Sequence, residues 1–167
     1  MTVVGVDPSS KKLALFVNGD NTYCHVIKSE KDNSRFQNLA LFFNEVNEFI
    51  KELPEDTHVF VESALMGRGG VRSTIVQAQA ASTVYISSVI SGLVVHEVNV
   101  QTWKKDIVGS GNASKSDVSQ WLDAHEPGLA ELCGGDQDLV DAACLSLYGQ
   151  RVTRLGSEIA RGGVPGQ

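Results

Sequence analysis

Short apolar runs alternate with stretches of helical periodicity along this chain, and their order predicts the architecture. Residues 3–7, VVGVD, read as a buried strand ending on a carboxylate. Residues 12–17 and 22–28 read as two more strands, joined by Asn18-Gly19-Asp20-Asn21, a strong hairpin signal. The chain therefore opens with a three-stranded antiparallel unit. Phe36, Leu39, Ala40, Phe43, Val46, Phe49 and Ile50 then repeat at helical spacing, which predicts a helix over about 35–52, capped by Asn33 or Ser34 and followed by Pro54. The next strand is 58–62. Strand, helix, strand implies a crossover and a parallel pairing. A loop at 66–70 leads into a long helix, 71–91, ended by Gly92, and then a short strand, 93–98. A short helix over 100–108 and the Gly-rich turn GSGNAS follow. The capping-box pattern Ser114-x-x-Asp117 starts a helix that runs to about 125, where Pro127-Gly128 breaks it. A last helix extends from after Gly134-Gly135-Asp136 to about 150. The order is that of a single α/β domain over residues 1–153, with 154–167 as a flexible tail.

Composition narrows the class. A chain of 167 residues with 42% hydrophobic content has enough apolar material for one core. No run approaches the roughly 20 apolar residues of a membrane helix, and the N-terminus lacks a signal-peptide pattern, so a soluble, cytoplasmic protein is expected. Three cysteines, Cys24, Cys133 and Cys144, read as reduced thiols, and the four histidines show no zinc-ligand spacing. A net charge of −6 argues against non-specific nucleic-acid binding. That objection weakens if several of the acids gather around divalent metal.

The acids do form a pattern. Asp7 and Glu62 each terminate an apolar strand. Asp138 and Asp141 stand three apart and share one face of the last helix, while Asp136 is out of phase with them and suits an N-cap. If the two strands are neighbours and the helix crosses their C-terminal ends, four carboxylates converge. They would raise one another's pKa, a conflict that hard divalent cations relieve, with Mg²⁺ or Mn²⁺ matching an all-oxygen donor set. Two such ions suit phosphodiester cleavage. The competing reading takes the strand-end acids as surface residues and the helix-start acids as complements to the dipole.

Four segments in order, GVDPSS, FVESALMG, VNVQTWKKDIVGSGNASKSDV and DLVDAACLSL, together with QAQA in the long helix, resemble the landmarks of RuvC-type Holliday-junction resolvases, bacterial or bacteriophage. The resemblance spans about residues 1–150. It implies a ribonuclease-H-like fold, a five-stranded mixed sheet flanked by helices on both faces. It also implies a homodimeric, metal-dependent endonuclease making paired nicks across four-way DNA junctions. Asp7, Glu62, Asp138 and Asp141 become the ligands of two Mg²⁺ ions, with Mn²⁺ as substitute. Lys115, and Lys104 in preference to Lys105, contact DNA near the scissile phosphate. Lys11, Lys12, Arg68 and Arg72 are further DNA-facing candidates. The family places an aromatic wedge after the catalytic glutamate; this chain has Leu65 and Met66 there. The small residues Ala78, Ala80, Ala81, Ser82, Ser87, Ser88 and Ser91 make the long helix the expected dimer interface. Trp103 and Trp121 read as core or edge packing.

Rival readings remain open at this level. One is a less selective branched-DNA, flap or structured-RNA nuclease of the same fold, motivated by the missing aromatic. Another is a catalytically silent DNA-binding module. A fragment of a sugar-kinase-like or actin-like ATPase is disfavoured by length and by the lack of a second phosphate loop.

Overall fold

The computed structural model describes residues 1–64 and 70–160. Among these, five strands form one mixed sheet in the order β3-β2-β1-β4-β5. They are β1 (Val3–Pro8), β2 (Lys12–Asn18), β3 (Tyr23–Lys28), β4 (His58–Glu62) and β5 (Val94–Val98). β1 pairs antiparallel with β2 and parallel with β4, and β4 pairs parallel with β5. The helices are α1 (Arg35–Lys51), α2 (Gly70–Ile90), α3 (Val100–Ile107), α4 (Lys115–His125), α5 (Pro127–Cys133) and α6 (Gln137–Ala160). No described helix is long and apolar enough to cross a membrane.

Alternation along the strands divides the core in two. Val4, Val6, Leu13, Leu15, Val17, Val59 and Val61 face Phe42, Val46, Phe49 and Ile50 of α1 and Ala80, Ala81 and Val84 of α2. Val3, Ala14, Phe16 and Phe60 face Trp103, Val118, Leu122 and the apolar stripe of α6 on the other side. Asp7 shares the parity of Val3 and Gly5, so it emerges on the α6 face. Gly5 explains how close that helix comes: a Cβ there would collide with the Ala142 carbonyl and lie 2.7 Å from the Ser146 nitrogen. α6 thus crosses β1 backbone against backbone, and its first turn lands over the strand's C-terminal end.

Several expectations need correction. Phe36, six residues before Phe42, is out of phase with the buried stripe of α1 and is exposed, as is Ala40. Ser34 is the cap of α1, with a full capping box to Gln37. Pro127 does not simply break the chain; it stands in the first turn of α5, where its missing N–H costs nothing. Gly134 and Gly135, both with positive φ, then turn the chain into α6. α6 itself continues to Ala160, past the expected start of a tail at 154. The small residues of α2 point mostly inward: Ala80, Ala81, Ser87 and Ser88 are buried. The outward face carries Val71, Ile75, Ile86, Val89 and Ile90.

Gly5→Ala should weaken the fold by about 1–3 kcal/mol through overpacking, since both colliding groups are main chain and cannot yield. Urea unfolding measures it; an unchanged midpoint would show that α6 is free to lift off β1.

Candidate metal centre

β1 and β4 are parallel neighbours in register, with Val6 opposite Val61, so Asp7 and Glu62 leave adjacent strands side by side. Over them lies the first turn of α6, bringing Asp138 and Asp141. The four acids feel one another. Asp7 is pushed well above the ordinary aspartate value by burial, then by Glu62, Asp141 and Asp138, with Lys115 partly offsetting them. Burial also raises Asp141, against the opposing effects of a Gln137 hydrogen bond, Lys104 and Lys115. Glu62 rises to about 6, again chiefly through burial, although a hydrogen bond from Trp103 favours its charged form.

Neighbours fix where these carboxylates point. The Trp103 indole, on a fully buried ring, donates to Glu62 Oε2 at 2.9 Å. Gln137 Nε2 donates to Asp141 Oδ1 at 3.0 Å, and the amide oxygen of Gln137 accepts from Ser119 Oγ at 3.0 Å. Asp136 caps α6, accepting from the main-chain N–H of Asp138 at 3.0 Å and of Leu139 at 3.4 Å. Lys12 opens β2 on the same sheet face as Ala14 and Phe16. Its Nζ lies 2.8 Å from both carboxylate oxygens of Asp136 and 3.0 Å from Asp138 Oδ2. Burial opposes the Lys12 charge, but these contacts outweigh it and hold the ammonium above the ordinary lysine value. Asp136 is likewise held below its usual range, burial notwithstanding, by Lys12 and the α6 N–H groups.

The remaining basic residues separate into classes. Lys115 is exposed at the start of α4, with its Nζ 3.9 Å from Asp138 Oδ1. Lys104 donates to the Ala113 carbonyl at 3.1 Å, tying α3 to the Gly-rich turn, and its charge acts on both Glu62 and Asp141. Lys105 lies elsewhere. With Asn99, Gln101, Tyr148 and Val152 it lines a separate groove of about 780 Å³ between α3 and α6. The structure therefore sets Lys104, not Lys105, beside the acids. Lys11 and Arg72 are exposed. Lys12, another of the DNA-facing candidates, has its ammonium turned onto Asp136 and Asp138. Arg68, Leu65 and Met66 lie outside the described residues.

Sequence reading missed Gln137 and the Trp103 indole as partners of the acids. Gln137 directly precedes Asp138, but side-chain direction at a helix start is not written in spacing. Trp103 was read as packing, which is right for its ring and silent about its N–H. The cysteines are free, and burial pushes the Cys133 and Cys144 thiols up to about 12, which makes them inert.

The donor set fits a hard divalent cation: oxygen ligands, mutual repulsion that a cation relieves, and second partners that orient each carboxylate. Among the described residues, no three His, Cys, Asp or Glu side chains form a ready-made cage for one ion. Mg²⁺ does not require one, since it keeps several waters and takes one or two carboxylates together with substrate phosphate oxygens.

Residues 3–125 match the family described as crossover junction endodeoxyribonuclease RuvC. A relative of that name from Cereibacter sphaeroides is 28% identical over 175 residues, covering 96% of this chain and 98% of its own. One from Saccharophagus degradans is 30% identical over 126 residues, 72% of each chain. Among solved structures, Thermus thermophilus RuvC superposes with a TM-score of 0.70 at 21% identity, covering 93% of this chain and 97% of its own. The same protein in complex with a Holliday junction substrate gives 0.73 at 20% identity, over 93% and 96%.

The acid cluster makes stability depend on pH. The folded chain holds the Glu62 proton more tightly than the unfolded chain, so protonation stabilises the fold. In chelator, stability should fall as pH rises from about 4.5 through about 6, by up to about 2 kcal/mol from Glu62, with Asp7 acting in the same sense. Urea midpoints against pH test this, and Glu62→Gln should remove the Glu62 share. A midpoint that rises across that window would contradict the burial of these acids.

Proposed function

The chain belongs to the RuvC family of crossover junction endodeoxyribonucleases, and from that premise we propose that it resolves four-way DNA junctions by paired, symmetric hydrolytic nicks at two metal-dependent sites. The convergence of Asp7, Glu62, Asp138 and Asp141 under α6 supports this most directly. These four would hold the metal, Mg²⁺ by preference and Mn²⁺ as substitute, with two ions per site. Bound there, the ions supply charge stabilisation for the phosphodiester transition state and activation of the attacking water. The protein does the rest. Trp103 and Gln137 keep Glu62 and Asp141 aimed. Lys115, exposed and poised at the edge of the cluster, and Lys104 at its inner side stabilise the charge of the scissile phosphate. No side chain need act as nucleophile. Lys11 and Arg72, both exposed, would meet the DNA backbone beyond the cut.

Two cuts require two sites. The outward face of α2 presents Val71, Ile75, Ile86, Val89 and Ile90, an apolar strip where a monomer would carry charge. We assign this face, rather than the inward-facing small residues, to an isologous homodimer, whose two-fold axis matches a nearly two-fold junction. A less selective branched-DNA nuclease is the alternative, motivated by Leu65-Met66 in place of an aromatic.

Asp7→Asn should abolish cleavage of a synthetic four-way junction in Mg²⁺ while leaving junction binding within about threefold of wild type; full activity would remove Asp7 from the metal site. Equal wild-type rates on four-way, three-way and flap substrates would favour the alternative. Val89→Glu should convert a dimer to monomer in sedimentation velocity, with little loss of fold stability because the position is 63% exposed. A dimer that survives it would move the interface elsewhere.

A further inference from the structure

Lys12 has no place in the mechanism so far, yet it makes the shortest charged contacts at the acid cluster. It sits on β2, the antiparallel neighbour of β1, where Pro8 is paired with Leu13 and Asp7 with Ala14. Its side chain is about three-quarters covered, and its ammonium bridges two acids of the α6 entry turn, Asp136 at 2.8 Å and Asp138 at 3.0 Å. The two partners differ. Asp136 is also committed to main-chain N–H groups of α6, so it is a fixed anchor. Asp138 gives Lys12 its Oδ2 and turns Oδ1 toward the more distant Lys115.

We propose that Lys12 is a resident cation competing with divalent metal for Asp138, so that the acid cluster loads weakly until a substrate phosphate adds its own negative charge. The proposal rests on the reading of these acids as metal ligands. A positive charge anchored beside a ligand oxygen repels an incoming divalent ion, and at this range in a partly covered site the repulsion reaches at least a factor of ten in affinity. Asp136 keeps that charge in place: were it absent, the flexible lysine stem would swing into solvent. The device suits a nuclease. Metal that assembles only against the phosphate it will act on leaves the enzyme quiet between substrates.

The test is direct Mn²⁺ binding to the full chain without DNA, followed by the paramagnetic signal of free Mn²⁺. Wild type, Lys12→Met, Lys12→Gln, Lys12→Arg and Lys115→Met are compared, with circular dichroism and urea midpoints to verify folding. Lys12→Met and Lys12→Gln should bind Mn²⁺ on the order of tenfold more tightly than wild type. Their urea midpoints should gain more from added Mn²⁺, and the Mg²⁺ concentration for half-maximal junction cleavage should fall. Lys12→Arg, which keeps the charge, should resemble wild type. Lys115→Met, which removes the same charge from a more distant and exposed position, should shift affinity less. Binding that is unchanged or weaker in both neutral Lys12 variants would make Lys12 an orienting group and overturn the proposal. Equal tightening by Lys115→Met would reduce it to a share of net charge, with the same consequence. If neither wild type nor the neutral Lys12 variants bind Mn²⁺, the metal-site reading falls together with this one. If wild type binds Mn²⁺ but cuts no junction, only the substrate reading falls.

Discussion

Four carboxylates that repel one another are held together by main-chain packing, and the rest of the active end is arranged around that conflict. Two leave adjacent parallel strands, and two ride on a helix that has no alternative course. A group of acids on flexible loops would spread until each found water. Here Gly5 removes the side chain that would hold α6 away from β1, and the apolar stripe of that helix, Ala142, Ala143 and Leu145 among others, seals it onto Val3, Ala14 and Phe16. The hydrophobic burial under the helix is what opposes the Coulomb repulsion at its N-terminal end.

The supporting contacts differ according to how the acids differ. Asp7, Glu62 and Asp141 are the more enclosed, and the last two are each met by a neutral donor, an indole and an amide. Neutral donors orient a carboxylate without cancelling its charge, which leaves it available to an ion. Asp138 is partly open and is met by cations instead. Asp136, two residues before Asp138, is committed differently. It terminates α6 and holds a lysine. Lys12 spans both acids, anchored on Asp136, while Asp138 keeps its Oδ1 toward the more distant Lys115.

The order of elements, the parallel β1–β4 pairing and the four acids were legible in the sequence because each depends on a strong local rule: alternation, helical period, capping chemistry, or an i to i+3 spacing. The failures share a cause. Phe36 has the composition of a core residue but the wrong phase. Pro127 was a breaker by type and a helix starter by position. The small residues of α2 fit either an interface or packing on the sheet, because composition does not say which side of a helix meets the sheet. Gln137, the Trp103 N–H and the inward turn of Lys12 depend on rotamers selected by groups on other elements, 18, 41 and 124 residues away, and no local pattern records them. The relation between Lys104 and Lys105 lay between these cases. Adjacent lysines on a short helix are about 100° apart, so one had to face the acids and the other could not, but only the packing of Trp103 settles which.

An acidic protein that acts on DNA has to concentrate its few cations where phosphate arrives. The chain carries 14 Lys and Arg against 20 Asp and Glu, so long-range attraction is weak and placement matters more than number. Lys115 and Lys104 approach the acids from the α3–α4 side, while Lys12 enters from β2 beneath the start of α6. The cluster is thus bracketed by positive charge on two sides. A bracket of this kind lowers the self-repulsion of the acids without closing the site, because all three of its members are lysines reaching in from other elements, not ligands in a cage. An incoming phosphate meets a surface that is neither strongly repulsive nor already saturated, which is the condition under which metal, acid and substrate can assemble together.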